Sequence, residues 1–473
     1  MTSKTNFIGI IGILFFTLNI TFAQAQILLD KKLLEEDLDI LYNNLKTLHG
    51  GLFAYTSEQD VEQWFLNTQA KLNDNIDVFE FYKHIAPLNS IIKNGHTQVK
   101  YPALSQKFKM LPIQVYCHDG NYFIKHQFNN SNGDLIGLKI KQIDGKSIED
   151  IFSRLLTHQT RDGNNLTFPI ENLSSLFGFE YSFVYGQKDE YLLTVVDNDG
   201  AENTITLSTV SLNSEIVERL NNSLIGALNF KIIGDTAIIT FPTFDTKSLR
   251  KRAYKKFLAK SFSAIRKMNI TKLIIDVRNN AGGDPKPTQE LLSYLLENDF
   301  ILYEDVYTIT NRIEDAAYYK NQGVFWLNTF SWLKVKKVEN QRFERFNKEG
   351  LKIYRSKRDY YKGDLTVLIN GNSFSATGEF ASFLKHYRSS IFIGEEVGGN
   401  GLQSTAGVTY TLTLPHSKIN IDIPLVVFKL NVPVENPTHG VIPDYQVRNT
   451  ITQELNGEDA VMDFALKLNS KKK

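Results

Sequence analysis

Apolar positions along the chain fall into three regimes. From residue 30 to about 92 they recur at helical spacing. DKKLLEEDLDILYNNLKTL predicts a helix over 30–48, and two more helical patterns follow near 58–72 and 77–92. Lys93-Asn94-Gly95 reads as a stop signal. His96-Thr97 then leads into Gln98-Val99-Lys100-Tyr101, which alternates like a short strand. From about 108 to 208 a period of two takes over. LPIQVYC, NYFIKHQF, LIGLKIKQI, EYLLTVV and NTITL are separated by the turn signals HDG, SNG, IDG and DNDG. SIEDIFSRLL adds a helix, and the segment 157–183 fits the strand pattern poorly and reads as an insertion.

From about 229 buried strands and amphipathic helices alternate. DTAIITFPTF, TKLIIDVRNN, DLTVLIN and SSIFIGEE are the strands. SLRKRAYKKFLAKSFSAIRKM, residues 285–298 and GEFASFLKHY are the helices. Such alternation predicts a mainly parallel sheet. The aromatic-rich stretch 300–360 matches no single period. The chain divides on these grounds into a leader at 1–25, a helical segment at 26–107, a β domain at 108–208 and an α/β core at 209–473.

A chain of 473 residues is too long for one core. With 42% hydrophobic and 22% charged residues it has an ordinary globular composition. The formal charge of +1 leaves no basic surplus for nucleic acid. Lys4, the apolar run IGIIGILFFTLNITF and Ala23-Gln24-Ala25 together read as a secretory signal peptide. The run of 15 residues is shorter than the roughly 20 a spanning helix needs, and no other segment approaches that length. Cys117 is the only cysteine, so the chain has no internal disulfide and no cysteine-based zinc site. Export without disulfides suits a bacterial periplasm.

Candidate chemistry gathers at NGNSFSATGEFASFL, residues 370–384. Here a strand, a sharp turn, Ser375 and a helix follow one another. The hydroxyl would be exposed at a strand end, with helix N-terminal N–H groups, that of Ala376 first, aimed at whatever binds there. A plain serine N-cap has the same local sequence. Asp276-Val277-Arg278-Asn279-Asn280-Ala281-Gly282-Gly283 ends another buried strand, and its paired glycines allow backbone to approach a ligand.

A nucleophilic serine needs a base. Lys385 lies ten residues along the same helix, about 15 Å away at 1.5 Å per residue. His386 is equally remote. Of the nine histidines, His96 beside Gly95 and His439 in the loop with Glu435, Pro437 and Gly440 are left level by spacing alone.

These residues resemble the tail-specific, or C-terminal processing, serine proteases, and within them the tricorn-like branch. The motifs are Asn94-Gly95-His96-Thr97, Asp276 to Gly283, Asn372-Ser373-Phe374-Ser375-Ala376, Gly394 to Gly401, and Glu435 through Gly440-Val441-Ile442-Pro443-Asp444. They occur in the family's order. The resemblance implies an α/β catalytic core of ClpP/crotonase-like type, a small helical N-terminal segment and an inserted PDZ-like β domain. It implies Ser375 as nucleophile, His96 as base and Glu435 as the group orienting the histidine. It implies an oxyanion hole at Gly283, or its neighbour Gly282, with Ala376. No metal or organic cofactor is implied. The substrates would be peptides or proteins, gripped by the PDZ-like module at their C-termini. Two positions depart from the pattern. Asn400 stands where the lysine-dyad branch has its lysine, and Gly95 stands where the tricorn tetrad has a serine. A catalytically degenerate peptide- or ligand-binding protein on the same fold, like the retinoid-binding relatives, is the alternative. An esterase or amidase with the same triad is a third reading.

Overall fold

The apolar runs of the C-terminal half pair side by side. Thr236–Thr240, Lys272–Asp276, Asp364–Ile369, Ile391–Gly394 and Tyr445–Gln446 are parallel neighbours in that order, and Asn229–Ile233 closes one edge antiparallel. Successive residues point to opposite faces. Ala237, Ile239, Leu273, Ile275, Val367 and Phe392 therefore face the helices Lys251–Lys267, Pro285–Leu295 and Ala376–Tyr387. Ile238, Ile274, Leu368 and Ile393 face Val461, Met462 and Ala465 of the helix Ala460–Lys471. Burial on both faces is why these strands read as continuous apolar runs. The protein is a mixed α/β fold.

This computed structural model describes residues 28–471, apart from 105–106, 130–132, 198, 222–225, 320–322, 331–334, 339–341, 346–349 and 434–435. The leader at 1–25 and Glu435 lie outside the described residues. Among the described residues no helix is long and apolar enough to cross a membrane.

A second, antiparallel sheet holds elements that the α/β alternation does not announce. Its centre is a long hairpin, Gln403–Thr413 with Asn420–Leu430. Tyr303–Thr308, from the stretch 300–360, pairs with Asn420–Leu430 and with Phe343–Arg345. The short strand Gln98–Val99 joins the same hairpin strand, with Val99 opposite Ile421. That pairing fixes the loop carrying His96, which immediately precedes it.

The N-terminal segment forms the helices Lys31–Leu48, Glu58–Ala70, Val78–Ile85 and Leu88–Ile92. The third expected helix is two helices, divided at Ala86-Pro87, where proline removes an N–H. Lys93 ends the last one in left-handed conformation, with φ of 56°.

Between the N-terminal helices and the α/β core, a further sheet runs Glu202–Ser208, Glu190–Val196, Lys139–Ile143, Asn121–Gln127, Ile113–His118. Against it lie the helices Ile148–Leu156 and Thr167–Tyr185. The second of these is most of the segment that fits no strand period. It shows no helical period either, because it is buried almost all round. Leu173, Phe177 and Tyr181 pack into this sheet's core, and Leu176, Phe179 and Phe183 pack among the N-terminal helices.

Candidate active site

Ser375 lies between the strand Asp364–Ile369 and the helix Ala376–Tyr387. The turn is held from several sides. Ser373 Oγ donates to Val277 O at 2.9 Å, Phe374 N to Asn280 O at 3.1 Å, and Gly398 N to Ser373 O at 3.1 Å. Ser375 is forced to φ 54° and ψ −126°, a strained region for a residue with a Cβ, costing on the order of 1–3 kcal/mol. Although it occupies the cap position, its side chain makes no cap hydrogen bond. The hydroxyl lies instead 3.0 Å from His96 Nε2.

His96 arrives from the N-terminal segment on a loop ordered by Asn94. Asn94 Oδ1 accepts from His96 N at 3.1 Å and from Thr97 Oγ1 at 3.0 Å. Thr97 in turn faces a second histidine, His49, which is buried. His49 Nδ1 accepts from Gly51 N, so its Nε2 carries the proton and donates to Thr97 Oγ1 at 2.8 Å. Burial pulls both histidines down to about pKa 4, and for His96 the neighbouring His49 adds to the effect. Both rings are therefore neutral at pH 7. With its proton on Nδ1, His96 presents a free Nε2 lone pair to the serine hydroxyl. Its buried Nδ1 has no partner among the described residues.

The residue before His96 has a steric reason to be glycine. A Cβ on Gly95 would overlap Phe374 Cζ and stand 2.7 Å from Cε2. The Phe374 ring fills the place a serine side chain would take. It leans on the imidazole at a centroid distance of 4.9 Å and stacks on Phe168 at 4.3 Å. The hydroxyl on the other side of His96, that of Thr97, bonds to Asn94 and His49.

Asp162 is buried beside this loop. It accepts from Gly95 N at 2.7 Å and from Asn400 N at 3.3 Å. It thereby joins the histidine loop to the glycine-rich segment after Ile391–Gly394. Burial raises its pKa to about 6. Glu379, one turn beyond Ser375, is buried too, accepts from Tyr303 OH at 2.6 Å, and is raised to about 7 by burial. Asn400 uses its side chain structurally, donating to Pro437 O at 2.6 Å and accepting from Leu402 N at 2.7 Å. His439 is engaged elsewhere, with Nδ1 3.1 Å from Glu396 Oε1.

Of the two candidate oxyanion glycines, Gly282 has its N–H committed to Asn280 Oδ1 at 2.9 Å. Its lack of a side chain is what matters: a Cβ there would lie 2.9 Å from Ala376 N and 2.9 Å from Ser375 Cβ. Gly283 forms a parallel bridge with Phe244 in which Gly282 O and Asp284 N make the bonds. Its own N–H is thus turned away from Phe244. Ala376 N, at the first helical position, lacks an intrahelical acceptor.

The family resemblance pairs Ser375 with His96, where spacing alone leaves His96 and His439 level, and neither gives a sign of Asp162 or His49. Arg161-Asp162-Gly163-Asn164 reads as an ordinary turn, and His49 as the end of a helix.

Residues 235–447 match the model of peptidase family S41. No curated protein matches the chain. Among solved structures it is similar to mature CPAF, at 15% identity, covering 93% of this chain and 96% of that one, with a TM-score of 0.64. It is also similar to mature CPAF complexed with lactacystin, at 14% identity over 93% and 97% of the chains, with a TM-score of 0.62. A putative peptidase from Parabacteroides merdae matches at 14% identity over 92% and 96%, with a TM-score of 0.45. At such identities the likeness to mature CPAF is one of fold.

Proposed function

We propose, for a chain that belongs to peptidase family S41 over residues 235–447 and is a serine-type peptidase, that it cleaves peptide bonds through an acyl-enzyme on Ser375. The observation that carries this is the 3.0 Å approach of His96 Nε2 to a serine hydroxyl held off every helix-capping role. Ser375 Oγ attacks the scissile carbonyl, and His96 takes its proton and delivers it to the leaving amine. The N–H groups of Gly283 and Ala376 receive the oxyanion. Such a donor is worth about 2.7–4 kcal/mol where one has been removed. The imidazolium needs an acceptor at Nδ1, and Glu435 is assigned that role. Its neighbour Pro437 is tied to Asn400, and Asn400 to the histidine loop through Asp162.

This is the Ser–His–Glu, tricorn-like arrangement. The asparagine at 400 supports it over a lysine dyad, since an amide cannot serve as a base. The parallel sheet is read as the ClpP/crotonase-like core and the 108–208 region as the PDZ-like module. Residues 1–25 are read as the signal for export to a bacterial periplasm. Peptides and proteins are the substrates. Recognition of their C-termini by the 108–208 module would require an open strand edge.

The direct test is labelling by a fluorophosphonate probe followed by peptide mapping. The expected adduct is on Ser375. A well-folded protein that takes no label, or takes it on another serine, would overturn the reading.

A pH profile follows from the buried base. His96 must be neutral to act, so activity is lost as pH falls through its pKa. Burial and His49 lower that value to about 4 with Nδ1 unpartnered among the described residues, and a Glu435 carboxylate at Nδ1 would raise it part of the way back, so the acid limb of kcat/KM should lie below the usual histidine value of about 6.5. Rates on an uncharged peptide substrate between pH 3.5 and 8 measure it. A limb at or above 6.5 would contradict the environment described for His96.

A further inference from the structure

The 108–208 module has two sheet edges, and the one beside its helices is filled. Among the described residues the outer strand Ile113–His118 pairs only with Asn121–Gln127. Carbonyls alternate along a strand. Pro112 O accepts from Phe128 N, so the carbonyls of Leu111 and Ile113 point the other way, outward. The helix Thr167–Tyr185 lies on that side. A Cβ on Gly178 would overlap Leu111 O and stand 2.6 Å from Ile113 O, so the helix backbone rests directly on the strand edge. Leu111 N donates to Ser182 Oγ at 2.8 Å, and Gln114 Nε2 donates to Ser175 O at 2.9 Å. Beside that contact, Phe177 stacks on Phe152 of the helix Ile148–Leu156, with centroids 6.1 Å apart, inside this sheet's core. The helix thus occupies the space between strand edge and neighbouring helix where an added peptide strand would lie.

It is not poised to leave. Its side chains are buried in two separate cores, so withdrawing it would expose large aromatic surface on both. Its N-terminal end is also part of the site. Phe168 stacks on Phe374, Thr167 Oγ1 donates to Glu396 O at 2.9 Å, and Asn165 Nδ2 donates to Val397 O at 3.2 Å. Moving the helix to admit a peptide would pull on the residue next to Ser375. The opposite sheet edge, Glu202–Ser208, has no further strand beside it among the described residues, and it offers mostly exposed polar side chains and one buried leucine, Leu207. Strand addition draws its selectivity from pockets for alternate side chains, and on this strand only Ile205 and Leu207 are apolar.

Resting on the Ser375 reading for the chemistry, we infer that the module is a closed brace, with the Thr167–Tyr185 helix in its peptide groove, and that the peptidase chooses substrates at the Ser375 cleft without reading a free C-terminal carboxylate. The test uses one peptide found to be cleaved from a proteome-derived library, synthesised as the free acid and as the carboxamide. The expected kcat/KM values agree within about twofold. A preference of tenfold or more for the acid would overturn the inference. Hydrogen exchange of the Ser375→Ala protein with each peptide is the second arm. Protection over 111–116 and 173–184 should be unchanged by either. Deprotection of that helix, or new protection of 202–208, on adding the acid alone would overturn it. If wild-type protein cleaves nothing, the serine reading fails by itself, and the exchange arm still decides whether the groove is closed.

Discussion

A Ser375→Ala protein should fold as the wild type does and lose peptidase activity by a factor of about 10⁴ or more. The two halves of that expectation come from the same geometry. A serine that merely capped its helix would hydrogen-bond an N–H of the first turn, and alanine would cost about 1 kcal/mol. Ser375 makes no such bond. Its hydroxyl faces His96 Nε2, so alanine removes a reacting atom and no structural contact of consequence. The strained backbone is unaffected, because alanine and serine share the same Cβ constraint at φ 54°. The midpoint of thermal unfolding should therefore move little while turnover of a fluorescent casein substrate disappears. Residual rate above water would come from the Gly283 and Ala376 donors acting on bound substrate. An active variant would remove Ser375 from the chemistry, and an unfolded one would show that the side chain is structural after all.

How far the sequence anticipates this site depends on whether each part is local. The four buried runs of the core sheet are legible because both faces are covered and the runs are short and continuous. Ser375 is legible because strand, turn and helix are adjacent in the chain. Its proposed base is not, since the histidine comes from 279 residues earlier and spacing cannot choose between His96 and His439. In the structure His96 lies beside Ser375 and His439 beside Glu396. Asp162 and His49 are illegible for the same reason. Their importance lies in bonds to Gly95, Asn400 and Thr97, which exist only once distant segments meet. The Thr167–Tyr185 helix fails differently. A helix buried on every side has no polar face, and periodicity is a contrast between faces.

The base itself should show the second large effect. His96→Ala is expected to abolish fluorophosphonate labelling and to reduce peptidase activity by about as much as Ser375→Ala, whereas His439→Ala should retain both. The two losses should not add. Serine and histidine act as one unit in proton transfer, so the double variant should be no slower than either single variant, apart from background. Truncation also leaves a specific void, bounded by the Phe374 ring on one side and Ser375 Oγ on another. Free imidazole should enter it and restore part of the rate, as no general loss of folding could. The restored activity should carry a different pH dependence. Burial and His49 hold the native ring below the ordinary histidine value, while an added imidazole exchanging with solvent titrates closer to that value of about 6.5. The acid limb should therefore move upward with rescue. A rescued limb that stayed with the native one would place the controlling proton elsewhere.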